Sequence, residues 1–367
     1  MPQARRIRWR ARDRFHHVRR TATCRRKPTT LPAAKVANKQ RDENLGGQRD
    51  CQRRAGLALA SGAAVLVVAS ACVPTRPAFP GDFPDPHILP SGGSYQANAT
   101  QGGSGVPHVQ HMSSTDLVHW SRVHDAVPRL PAWASPGPTW APEVLRRGSQ
   151  YVLFYTVHHR TLNLQCVSTA TASTAAGPFA DNSTGPFLCQ TTFGGSIDPS
   201  PFVAPNGRVY LLWESATQAG GPAAIYAQEL RSDGHALVGV RARIAIAARA
   251  WEGGTIEGPA MVKGPAGYYL FYSANYWASA KYAIGYAICA TPLGGCSKVT
   301  TVQPWVSSNQ FMAGPGGQSF FRDLAGALRM VYHAWSPGKV GYEAGGARSL
   351  WIGHIGFDVT GRPVLTA

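Results

Sequence analysis

Four acidic residues recur in proline-rich turns at a near-constant interval, and that interval limits what the chain can fold into. They are Asp85 in Phe83-Pro84-Asp85-Pro86, Glu143 in Trp140-Ala141-Pro142-Glu143, Asp198 in Ser196-Ile197-Asp198-Pro199 and Glu257 in Ile256-Glu257-Gly258-Pro259, at steps of 58, 55 and 59 residues. Behind each turn runs an aromatic, β-branched stretch. Those ending at Tyr155, Trp213, Tyr272 and Tyr332 align at steps of 58, 59 and 60 residues, and Tyr95 aligns with Tyr151 one unit earlier. A period of this size carrying short strands means an array of similar β units. Five units fit between about Phe79 and Ala367. The predicted fold is therefore all-β, a five-bladed β-propeller with four strands to a blade. Matching positions on the innermost strands converge on one end of the central channel, so the four acids are expected to face one another there. A single Asp or Glu beside Pro is an ordinary turn residue; four at one phase of a repeat point to a site. In the fifth unit Gly316-Gly317-Gln318-Ser319 stands where a carboxylate is expected.

The formal charge of +17 suggests a nucleic-acid partner until it is divided. Residues 1–54 hold 17 of the 36 Lys and Arg but four of the 19 Asp and Glu, leaving 19 basic and 15 acidic residues in the rest of the chain. The folded part is close to balanced, so no nucleic-acid partner is expected. Residues 1–52 form a basic tail too poor in apolar residues to bury a core, expected either to be disordered or to lie upstream of a true start near Val36 or Leu45. Residues 53–72 read as an export signal. Arg53 and Arg54 form the positive region, and Gly56 to Ala71 is apolar over 16 residues, short of the roughly 20 that span a bilayer. It ends in Ala69-Ser70-Ala71-Cys72, which resembles a bacterial lipobox with Cys72 as the lipidated residue; cleavage after Ala71 is the alternative. Residues 73–78 are a proline-containing linker, and 79–367 the propeller. The expected product is a secreted or cell-envelope lipoprotein, monomeric, touching membrane only through its lipid.

Three of the seven cysteines precede the propeller, and Cys166, Cys189, Cys289 and Cys296 lie within it. An even count suits two disulfides in an oxidising compartment. Of three possible connectivities the local one, Cys166–Cys189 and Cys289–Cys296, is expected, each pair bracketing one hairpin region of one unit. The spacing does not suit a zinc site.

Two carboxyl groups across a sugar ring are the minimum equipment for glycoside hydrolysis: one protonates the leaving oxygen and the other activates water or attacks. Their surroundings must differ, since their pKa values must. A third acid nearby keeps the proton donor protonated, because like charges disfavour ionisation. The markers Gly81-Asp-Phe-Pro-Asp-Pro86, Ser114-Thr-Asp-Leu-Val-His-Trp120, Trp140-Ala-Pro-Glu143, Ser196-Ile-Asp-Pro-Ser-Pro-Phe202, Ile256-Glu-Gly-Pro259 and Tyr332-His-Ala-Trp335 together resemble glycoside hydrolase family 43, five-bladed propellers acting on arabinose- and xylose-containing glycans. The resemblance implies that Asp85 is the general base, Glu257 the general acid and Asp198 the acid that orients Glu257 and raises its pKa. It also implies inversion at the anomeric carbon of an arabinofuranosyl or xylosyl linkage. Asp82, three residues before Asp85, is set aside because the base lies between the two prolines.

Around these acids, Phe83 is expected to wall the pocket and Trp140 either to stack on sugar or to pack between blades. Glu143 either bonds a sugar hydroxyl or ties a blade turn. His159, between two strands of blade 2, either contacts substrate, the preferred reading, or lies in a solvated loop, and Arg348 is expected to reach a sugar hydroxyl. Trp213 is expected in the core and His333 as a buried structural histidine. Many family members carry a His in a Gly-Pro-Gly-His turn near a channel metal. Here Gly317 holds that position, which counts against a structural calcium, and Gln318 is expected to bind a water in its place. No cofactor is expected. The rival reading from another class is a non-catalytic carbohydrate-binding propeller at the cell envelope.

Overall fold

The computed structural model of the chain describes residues 73–102, 107–215 and 223–367. The basic tail, the signal segment and the lipidation site Cys72 lie outside the described residues. Five antiparallel sheets follow one another, and in each the strands pair in the order in which they occur. Blade 1 holds β1 (His87–Ser91), β2 (Ser94–Ala99), β3 (Gln110–Ser114) and β4 (His124–Asp125). Blade 2 holds β5 (Ala134–Arg147), β6 (Gln150–His159) and β7 (Leu164–Ala172). Blade 3 holds β8 (Ser196–Val203), β9 (Val209–Ser215), β10 (Ala224–Leu230) and β11 (Leu237–Ile246). Blade 4 holds β12 (Ile256–Gly264), β13 (Gly267–Ala274), β14 (Ala283–Thr291) and β15 (Gly294–Lys298). Blade 5 holds β16 (Ala313–Arg322), β17 (Leu328–Trp335), β18 (Ser349–Phe357) and β19 (Pro363–Thr366). The first strands β1, β5, β8, β12 and β16 neighbour one another in a closed ring, which makes the molecule a five-bladed β-propeller.

Blade 2 departs from the expected four strands. Its outer edge is served by an excursion that touches β7 only through isolated bridges, Thr171 to Ala180 and Val167 to Leu188. Prolines at 178 and 186 lack the N–H that a continuous fourth strand needs. The cystine Cys166–Cys189 fastens this excursion to β7, and Cys289–Cys296 joins β14 to β15, the pairing expected from the sequence.

The core is five interfaces rather than one centre. Alternate residues of a strand point to opposite faces, and a middle strand is covered on both. Tyr151, Leu153 and Tyr155 of β6 pack toward blade 1 with Val109 and Val127, while Val152 and Phe154 pack toward blade 3 with Leu211 and Trp213. Leu270 and Tyr272 of β13 face blade 3, whereas Tyr269 and Phe271 face blade 5. Burial on both faces is why these strands read as continuous apolar runs rather than alternating ones. The ring closes where Phe83, Ile88 and Met112 of the first unit meet Phe321, Val331 and Leu350 of the last. The segment read as a linker takes part: Pro74 is buried, and the Ala78 N–H donates to the Leu350 carbonyl at 2.8 Å.

Candidate active site

Each innermost strand carries the same kink. In blades 2 to 5 the pairing register breaks at Trp140/Glu143, Ile197/Ser200, Glu257/Ala260 and Gly316/Ser319. At the matching point in every blade one residue has a positive φ: Asp85 (49°), Ala141 (44°), Asp198 (55°), Gly258 (55°) and Gly317 (57°). Four of the five are followed by proline. This register corrects the single ring of acids expected from the sequence. Only Asp85 and Asp198 occupy the kink itself; Glu257 lies one residue before it and Glu143 two residues after. The difference matters because the kink breaks the strand's alternation. The residue before it (Trp140, Ile197, Glu257) faces a large open cavity, whereas Glu143 and Ser319, two residues after it, face the channel below. Asp85 and Asp198 border both.

A second ring holds the kinks in place. One polar residue follows the aligned aromatic run of each blade: Thr100, Thr156, Glu214, Ser273 and His333. Four of the five accept the kink N–H of the next blade. Ala141 donates to Thr100 Oγ1 (2.8 Å), Asp198 to Thr156 Oγ1 (3.1 Å), Gly317 to Ser273 Oγ (2.9 Å) and Asp85 to His333 Nδ1 (3.0 Å). Between blades 3 and 4 the rule breaks. The Gly258 N–H goes to Asp198 Oδ2 at 2.9 Å, and Glu214 Oε2 is buried with no hydrogen-bond partner among the described residues.

The open cavity measures about 850 Å³, and three acids border it: Asp85, Asp198 and Glu257. Their environments differ. Burial alone would raise Asp85, but the Arg348 guanidinium, the contact with His333 and the hydrogen bond from Thr100 Oγ1 (2.7 Å) together outweigh it and hold the carboxyl well below the ordinary range. His333 Nδ1 lies 3.3 Å from Asp85 Oδ1. Because that nitrogen accepts the backbone N–H, the contact is no ion pair, and the cation that governs Asp85 is Arg348 at 3.4 Å. Glu257 goes the other way. Burial lifts it to about 7, with the Asp85 charge adding, against the opposing hydrogen bond from Tyr282 Oη (2.6 Å) and the charge of Arg348. Asp198 is raised by burial, then by the charges of Glu257 and Asp85, against the hydrogen bond from Gly258. Glu214, behind them, is raised by burial and by Glu257 and Asp198. One cavity thus presents a carboxylate and a carboxylic acid, with two further buried carboxyls beside the acid.

The other residues singled out in the sequence divide. Trp140 and Arg348 line the cavity. Arg348 is braced between the faces of Trp277 (4.7 Å) and Tyr342 (5.7 Å), and its own N–H donates to Asp82 Oδ1 at 2.8 Å. Phe83, expected at the pocket wall, is fully buried in the apolar cluster that closes the ring; its N–H donates to the Arg348 carbonyl (2.9 Å). His159 is taken up locally, its ring against Trp133 and its Nδ1 accepting the N–H groups of Thr161 and Leu162. Glu143 accepts a hydrogen bond from Ser200 Oγ (3.3 Å) in the channel. Gln318 ties blade 4 to blade 5, accepting from Ser273 Oγ (2.8 Å) and donating to the Gly258 carbonyl (2.6 Å). Trp213 lies in the core and His333 is fully buried, as expected. The channel between these residues holds a cavity of about 20 Å³, room for a water. Among the described residues no three His, Cys, Asp or Glu side chains are grouped as metal ligands.

Sequence reasoning missed Thr100, Glu214, Trp277, Tyr282 and Tyr342. Glu214 carried a signal, an acid inside an apolar run buried on both faces, where a charge needs a reason. Tyr282 and Tyr342 come from loops with no repeat to announce them.

The model of glycosyl hydrolases family 43 matches residues 74–362. The chain belongs to glycosyl hydrolase family 43. Among its family 43 relatives is the β-D-galactofuranosidase xynD of Aspergillus niger, 26% identical over 273 residues, 70% of this chain and 75% of the relative. A thermostable family-43 glycoside hydrolase superposes with a TM-score of 0.68 at 25% identity, covering 81% of this chain and 96% of its own. An endo-1,4-β-xylanase of Bacteroides thetaiotaomicron gives 0.67 at 25% identity, covering 80% and 97%. Membership of family 43 supports glycoside hydrolase activity.

Proposed function

We propose that the protein is an exported glycosidase that cleaves arabinofuranosyl or xylosyl linkages with inversion. Water attacks the anomeric carbon from the face opposite the leaving oxygen and gives its proton to Asp85. Glu257 delivers its proton to the leaving oxygen as the glycosidic bond breaks, and Asp198 beside it favours the protonated donor. The observation that carries this reading is the opposite fate of two carboxyls in one cavity, Asp85 kept ionised by Arg348 and Glu257 raised to about 7 by burial. Inversion requires the two to stand about 6.5–9.5 Å apart, leaving room for water. The fungal relative's galactofuranosidase name favours a second reading, a hexofuranoside in the same cavity.

Hydrolysis of nitrophenyl arabinofuranoside, xyloside and galactofuranoside and of linear arabinan separates the sugars. Asp85→Asn and Glu257→Gln should each cut turnover by about 10²–10⁴-fold. Wild-type turnover in either folded variant defeats the assignment and favours the binding propeller. Export with a lipidated Cys72 is supported by the signal-like run after Arg54 and by two cystines. Mass spectrometry of the native N-terminus tests it, and recovery of residues 1–50 on the mature protein sinks it.

A further inference from the structure

Blade 5 has no acid at its kink, and the space where one would stand is occupied from outside the strand. A Cβ at Gly317 would collide with Asp85 Oδ1 and lie 2.6 Å from His333 Nδ1; a Cβ at Gly316 would collide with the Tyr282 ring. The two glycines leave room for two rings. Those rings are stacked, with centroids 5.8 Å apart and planes 11° from parallel. Each reaches a different acid. His333 Nδ1 accepts the Asp85 N–H at 3.0 Å, and Tyr282 Oη donates to Glu257 Oε1 at 2.6 Å. Both rings are buried, 0% and 2% exposed, and His333 Nε2 finds no partner among the described residues. His333 comes from β17 and Tyr282 from the loop before β14, so the stack crosses the interface of blades 4 and 5.

We propose that Tyr282 and His333 form a positioning pair that fixes the general acid relative to the general base, and that the Gly316-Gly317 step exists to admit it. The inference rests on the reading of Asp85 as base and Glu257 as acid. In an inverting reaction their separation decides whether water fits between them, and a misplacement near 1 Å costs about 100-fold in rate. An offset ring stack is a stiff spacer for that purpose. Its hydrogen bonds act on turnover rather than on substrate affinity, since neither ring is part of the cavity wall.

The groups facing Glu257 are Tyr282 from the loop before β14, Asp85 from blade 1, Asp198 and Glu214 from blade 3, and Arg348 from just before β18. The Tyr282 hydroxyl stabilises the ionised carboxyl, so Tyr282→Phe, which keeps the stack, should move the alkaline limb of kcat upward by about one pH unit. His333→Ala should lower kcat by about 10- to 100-fold with KM changed less than about threefold. His333→Asn, whose side-chain oxygen can accept the Asp85 N–H, should recover part of that loss. Gly317→Ala should resemble His333→Ala. A wild-type alkaline limb in Tyr282→Phe, or wild-type kcat in His333→Ala, overturns the proposal. Should the His333 or Gly317 variants fail to fold, the Tyr282→Phe profile decides alone. Asp85→Asn and Glu257→Gln run alongside: activity persisting in them defeats the site assignment, whereas their loss with an unshifted Tyr282→Phe limb defeats only the pair.

Discussion

At the scale of single residues, the site works by giving like groups unlike surroundings. Asp198 and Glu257 are buried together, and two such carboxyls lose their protons as a coupled pair. The Gly258 N–H directed at Asp198 Oδ2 favours charge on Asp198 and leaves the proton with Glu257. Asp198→Asn removes the like charge. The alkaline limb of kcat/KM should therefore move to lower pH, and an unchanged limb in a pH series would count against Asp198 as the residue that keeps Glu257 protonated. Glu214 makes a different prediction. Its folded-state pKa is raised by burial and by Glu257 and Asp198, so the folded protein binds a proton that the unfolded chain releases near pH 4.3. For a carboxyl raised on folding, stability is fullest below that pH and falls as pH rises toward the folded value. Glu214→Gln removes the effect. Thermal melts should show the variant gaining on the wild type as pH is raised from about 5; parallel curves would mean that Glu214 carries its charge at no cost.

At the scale of strands and turns, the fold was legible in the sequence because the repeat is carried by residues that must be what they are. Aromatic runs buried on both faces mark the second strand of every blade but the first, and X-Pro steps mark the kinks of four blades. The local cystine pairing was legible for the same reason, each pair lying within one unit. What could not be read was the phase of the acids. Residues 85, 143, 198 and 257 look equivalent along the chain, yet a strand kink gives its three neighbouring positions three directions, and only the fold separates them. Tyr282 and Arg348 could not be placed from the repeat, because Tyr282 reaches Glu257 of its own blade from a loop, 25 residues away, and Arg348 reaches Asp85 of another blade, 263 residues away. The cystines differ in what they close, 23 residues for Cys166–Cys189 and seven for Cys289–Cys296. Loop-closure entropy then gives about 3 kcal/mol for the first and about 2 for the second. Replacing the first pair by Ala should lower stability more in urea titrations, and the more so because that pair also fastens the edge of blade 2. Equal losses would show that loop closure is not the governing term.

At the scale of the whole molecule, the ring closes where first and last blades meet without sharing a strand. The seam is made by the residues that surround Asp85. Phe83 bonds to Arg348, Arg348 to Asp82, Ser349 Oγ to the Pro80 carbonyl, and Tyr342 Oη to Asp82 Oδ2. Asp82 therefore supports the cation that holds Asp85 ionised. Asp82→Ala should loosen Arg348, lower kcat/KM by about tenfold or more and move the acid limb to higher pH, because Asp85 loses part of what depresses it. A wild-type pH profile in that variant would detach the seam from the chemistry. There is a consequence for the order of synthesis. When the ribosome has completed blade 4, Asp85, Asp198, Glu214 and Glu257 have all been made, but His333 and Arg348 have not. An unfinished chain thus holds all four of these acids and neither the cation nor the imidazole that contacts Asp85. On the proposed assignment, hydrolytic competence arrives only with blade 5, and a chain released before it should be inert.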